Sequence, residues 1–129
     1  MSDFLQPVSR NEAIMQNILG AENVITSPES TMEAVLQSIL YGTEYTEEPT
    51  CSTEEILLAI KTGGTYTKPA ASRNEAILLK KLAGEEWTGS VFSRMEYLFA
   101  LWTLESEEHR KMFFPFSIEI GEPIELSTL

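Results

Sequence analysis

The chain has 129 residues, 43% hydrophobic and 22% charged, which is ordinary globular usage and too apolar for a disordered tail. That length allows one domain or a short array of repeats. Nine basic residues against 20 acidic ones leave a formal charge of −11. Binding to nucleic acid or to an anionic membrane is therefore not expected, since each needs a basic footprint.

No stretch approaches the roughly 20 apolar residues of a membrane span. The opening residues MSDFLQPVSR lack the basic and apolar regions of a secretory signal. Cys51 is the single cysteine, so no internal disulfide forms. These features point to synthesis in the cytoplasm.

The first element opens at Ser9-Arg-Asn-Glu12. This is a capping box, in which the serine hydroxyl accepts an N–H three residues on and the glutamate reaches back to the serine N–H. Ile14, Met15, Ile18 and Leu19 follow at helical spacing and Gly20 supplies a stop, predicting a helix near 10–19. The second box, Ser30-Thr-Met-Glu33, precedes Val35, Leu36, Ile39 and Leu40 and ends at Gly42, a helix near 31–41. The third is read from Ser52-Thr-Glu-Glu55, with Ile56, Leu57, Leu58 and Ile60 before Gly63, a helix near 53–62 whose stripe fits least well. In the fourth, Ser72-Arg-Asn-Glu75 repeats the word SRNEAI and leads through Ile77, Leu78 and Leu82 to Gly84, a helix near 73–83. The fifth, Ser93-Arg-Met-Glu96, carries Leu98, Phe99, Leu101, Trp102 and Leu104 and lacks a closing glycine, so it is expected to span 94–111.

The serines stand 21, 22, 20 and 21 residues apart, a period that marks a repeat protein. The connectors keep the period too: Val24, Tyr45, Tyr66 and Trp87 are each 21 apart and read as satellite core. After the fifth repeat, Phe116, Ile118 and Ile120 alternate with polar residues, Gly121-Glu-Pro123 turns, and Ile124-Glu-Leu126 alternates again. The expected fold is mainly α: five short capped helices in repeats of about 21 residues over 1–112, then a β hairpin or strand arm over 113–129.

No constellation of catalytic or metal-binding residues stands out. His109, the single histidine, lies in a mixed-charge run, and the acidic pairs sit at connectors and helix starts where negative charge suits the dipole. Cys51 adjoins a helix start with no histidine near it in sequence. Neither an enzyme nor a bound metal or other cofactor is expected. Arg10, Arg73 and Arg94 are more telling, because each places a cation at a first helical position, against the dipole. Each is expected to reach a carboxylate on an adjacent repeat or subunit, and Tyr45, Tyr66 and Trp87 to join such contacts. Trp102, Phe113, Phe114, Phe116, Ile118 and Ile120 are the candidate anchors for a partner.

Units of the form P-x-S-R-N-E-A-I-x-x-N-I-L-G-A-E-N, beginning at Pro7 and followed by a second S-x-x-E helix, resemble tandem repeats in virion proteins of tailed phages of Gram-positive bacteria. Such proteins are described as head-fibre or minor structural proteins. The likeness is strongest from Pro7 to Glu33 and looser to about Trp102, and this chain ends without a fibre or adhesin domain. The resemblance implies a capsid-associated or decoration role in the virion, with capsid or other virion proteins and further copies of the chain as partners. The alternative is an acidic phage-encoded inhibitor or adaptor that mimics nucleic acid.

Overall fold

The computed structural model describes residue 7 and residues 9–87, 90–104 and 124–125. Among these are five helices: α1 (Arg10–Ile18), α2 (Thr31–Tyr41), α3 (Ser52–Thr62), α4 (Arg73–Leu82) and α5 (Arg94–Thr103). Two short strands, β1 (Ser90–Val91) and β2 (Ile124–Glu125), pair antiparallel with Ser90 opposite Glu125. The rest of the expected 113–129 arm lies outside the described residues.

The helices start where the backbone switches from extended to helical at Ser9, Ser30, Cys51, Ser72 and Ser93. The third start corrects the sequence reading. Its cap is Cys51, one residue before Ser52, and the glutamate in the capping place is Glu54 rather than Glu55. With that shift the starts are 21 residues apart throughout. The awkward third stripe then falls into line.

Five and six residues after each cap stand Ile14 and Met15, Val35 and Leu36, Ile56 and Leu57, Ile77 and Leu78, Leu98 and Phe99, all buried in one continuous core. Each such side chain contributes about 2 kcal/mol by leaving water. Helices of about three turns are marginal alone, and this shared core is what keeps them folded.

Each helix packs on the next, and α5 packs back on α1, so the five repeats close into a ring. The first turns of neighbouring helices lie side by side, as the bonds described below require, and all five N-termini therefore share one end of the ring. Every connector runs back from one end to the other. At Gly42 and Gly63 the backbone takes φ of +69° and +73°, a left-handed turn that a side chain would strain.

Two other expectations are corrected. Helix α5 is Arg94–Thr103, with Leu104 already extended, so the expected helix is interrupted there; residues 105–111 of that span lie outside the described residues. The Thr103 hydroxyl is engaged there, donating to the Ala100 carbonyl at 2.6 Å and accepting the Trp87 N–H at 2.9 Å. Val24 is 95% exposed and no part of the core; Ile25, its neighbour, packs against the core instead. The first connector differs because Asn17 and Asn23 clasp each other, with Asn17 accepting the Asn23 N–H at 2.7 Å and donating to its carbonyl at 2.9 Å.

Candidate functional site

The residues that recur every 21 positions converge at the N-terminal end of the ring. There, Ser9, Ser30, Ser72 and Ser93 accept the N–H of Glu12, Glu33, Glu75 and Glu96 at 3.2, 3.2, 3.3 and 3.1 Å. Cys51 makes no such bond. The return half of the box differs from the sequence reading in the second to fifth repeats. The carboxylates of Glu33, Glu54, Glu75 and Glu96 accept the N–H of the residue before the cap (Glu29, Thr50, Ala71 and Phe92) at 3.0, 2.9, 3.0 and 3.3 Å.

The same glutamates are the links between repeats. Arg10 Nε donates to Glu33 at 2.8 Å, Thr31 Oγ1 to Glu54 at 2.7 Å, and Ser52 Oγ and Thr53 Oγ1 to Glu75 at 2.5 and 3.0 Å. Arg73 Nε donates to Glu96 and Arg94 Nε to Glu12, each at 2.9 Å. One rule generates all five: the first turn of each helix donates to the third-position glutamate of the next, and α5 donates to α1.

A single carboxylate performs both tasks because it offers about four acceptor sites on two oxygens. At the Arg10 and Arg73 junctions the backbone N–H and the guanidinium share Oε1. Where hydroxyls replace arginine, the two oxygens divide the work: Oε1 of Glu54 and Glu75 takes the backbone N–H and Oε2 takes the hydroxyls.

All five glutamates are buried. A buried carboxylate needs compensation. Arginine supplies it at three junctions, and every junction also adjoins helix N-termini that each carry about half a positive charge. Five parallel helices set their positive ends together and repel; the carboxylate ring offsets that repulsion.

The carboxyl acidities follow. Burial pushes Glu33 up, but the Glu29 N–H and Arg10 more than compensate and leave it below the usual range. Burial likewise opposes Glu54, which the Thr50 N–H and the Thr31 and Thr50 hydroxyls hold low. Glu75 is lowered chiefly by the Ser52 hydroxyl, against burial, with the Ala71 N–H assisting.

The arginines also fasten connectors. Arg10 Nη1 and Nη2 donate to Thr26 Oγ1 at 2.9 Å and the Ser27 carbonyl at 2.8 Å. Arg73 lies 4.5 Å from the centre of the Phe92 ring, a cation–π contact. Tyr45, Tyr66 and Trp87 are half-buried against the core from the connectors. Tyr66 also lines a shallow open groove with Gly64, Leu79 and Leu82.

Trp102 is corrected as a partner anchor. It is buried in the core with the Lys81 ammonium 5.2 Å from its ring centre, because α5 is enclosed on all sides from Tyr97 onward. Phe113, Phe114, Phe116, Ile118 and Ile120 lie outside the described residues, as does His109. Cys51 is exposed. Among the described residues no three or more His, Cys, Asp or Glu side chains are grouped to hold a metal ion, and no helix is long and apolar enough to cross a membrane.

Sequence reasoning missed Cys51 as the third cap, Thr31, Ser52 and Thr53 as donors between repeats, and the second task of every glutamate. The signal was present as a donor at the first helical position 23 residues before an acid, as in Arg10–Glu33 and Arg73–Glu96. No protein family, no curated protein and no solved structure matches this chain.

Proposed function

We propose that this chain is a structural protein of a phage virion, associated with the capsid as a decoration, head-fibre or minor capsid component and working through protein–protein contacts. One observation carries the reading. The polar residues that define the repeat are engaged with one another around the ring, so the motif serves to build a rigid body. A body of that kind suits a scaffold that presents surfaces to other proteins. The likeness of Pro7–Glu33 to repeats of tailed-phage virion proteins supplies the setting. The strongly acidic composition suits solubility before assembly and attraction to a basic patch on a shell. On this reading the aromatic and β-branched residues from Phe113 to Ile120 are the attachment segment, and the ring is what they attach.

The test is to purify native particles and search them for this chain by mass spectrometry. The expected result is its presence in particles at a fixed ratio to the major shell protein. Recovery only in the free protein fraction would refute the proposal. Salt-sensitive capture of a DNA-handling enzyme would instead support nucleic-acid mimicry. Removing residues 116–129 is expected to abolish attachment while leaving helical circular dichroism intact.

A further inference from the structure

The five junctions share one donor-to-glutamate pattern and differ in tethering. Four join helices that follow one another in the chain and are held by a connector. The α5–α1 junction joins Arg94 to Glu12 across 82 residues and has no connector. Its ion pair is also the most enclosed of the three: the side chains are 11% and 6% exposed, against 35% and 9% for Arg10–Glu33 and 47% and 10% for Arg73–Glu96.

Every helix presents a donor to the neighbour on one side and an acceptor to the neighbour on the other. The α5 side of the untethered junction carries a donor and the α1 side an acceptor, just as at the four internal junctions. A head-to-tail interface of this type closes on itself when the rotation per repeat completes the turn, as it does here, and the same two faces serve a second copy when identical elements are exchanged between the copies. The chemistry of the junction does not distinguish the chain's own α1 from the α1 of another copy.

We propose that the α5–α1 junction is a latch, and that the two faces it covers form an interface for a second copy of this chain when the latch opens. The inference rests on the ring geometry alone and does not use the virion reading. While the ring is closed, the high effective concentration of an intramolecular contact keeps a dilute chain monomeric. When it opens, α5 of each copy packs on α1 of the other and both junctions regain the Arg94–Glu12 pair.

Charge reversal at the latch tests this. Arg94→Glu opposes two carboxylates within one chain, and Glu12→Arg opposes two guanidinium groups. Neither chain closes on itself or pairs with its like. Mixed together, one junction between the two chains regains an opposite pair and the other is the native pair. The mixture is expected to run as a 1:1 dimer in size exclusion with light scattering, at concentrations where each variant alone is monomeric. Both changes in one chain restore the pair internally, and that variant is expected to be a monomer. A mixture that remains two monomers overturns the proposal. Should the single variants lose helical circular dichroism, the wild-type chain refolded from urea at rising protein concentration decides. A dimer fraction that grows with refolding concentration supports the latch, and monomer at every concentration overturns it.

Discussion

Helix α3 is the one helix that begins without a side-chain cap, and Cys51→Ser is expected to supply it. The backbone is already set. Cys51 has φ −156° and ψ 166°, against −156° and 169° at Ser72, whose hydroxyl accepts its glutamate N–H at 3.3 Å. A serine hydroxyl at position 51 falls in the same place relative to the Glu54 N–H. Because Cys51 is exposed, little packing is lost in the exchange. N-cap serines are worth about 1 kcal/mol over residues that do not cap, which for a chain of this length raises the thermal midpoint by about 4 °C. Urea unfolding followed by circular dichroism measures it, with an increased midpoint and an unchanged slope. The reverse exchange, Ser30→Cys, is expected to lose a similar amount. An unchanged or lowered midpoint for Cys51→Ser, or no loss for Ser30→Cys, would refute the assignment of position 51 as a cap equivalent to the other four.

Other outcomes follow from the same bonds. Arg94→Ala leaves a buried Glu12 without its cation and is expected to cost about 3 kcal/mol, whereas Arg73→Ala, removing a half-exposed partner, costs about 1 kcal/mol; equal losses in urea unfolding would contradict the difference in enclosure. The lowered acidities of Glu33, Glu54 and Glu75 make the unfolded chain bind protons more readily than the folded one. Their contribution is therefore complete above the ordinary carboxyl value of 4.5 and is lost as the pH falls through the folded values. Unfolding free energy measured from pH 7 to 3 should be level at first and then fall, and a rise on acidification would count against the carboxylate ring.

The helices were legible because their period, caps and apolar stripes are local. Serine, glutamate and a glycine with positive φ act within one turn of the residues they satisfy, so their order in the chain is nearly their order in space. The third repeat is ambiguous for an equally local reason: Ser52, a stronger capping residue than cysteine, stands one residue past the true start at Cys51. The strict 21-residue spacing of the glutamates would have located it. The ring itself was not legible, because nothing in a single repeat records the angle between neighbours, and closure depends on the sum of five such angles. The arginines advertised their discomfort at helix starts, but each acid was already assigned to its own cap. That a carboxylate with two oxygens serves its own helix and the preceding one emerges only when the helices are placed side by side. Trp102 read as an anchor because an aromatic near a chain end resembles an interface residue; α5 is instead the most enclosed helix, and its large side chains fill the core.

Closure of the ring is tested most directly by a double-mutant cycle between Arg94 and Glu12, with Arg94→Ala, Glu12→Ala and both together, measured by urea unfolding at low micromolar protein. If α5 lies against α1 in the folded monomer, the two losses are strongly non-additive, with a coupling of about 2 kcal/mol. Losses that simply add would place the two residues apart in solution and leave the repeats as an open array.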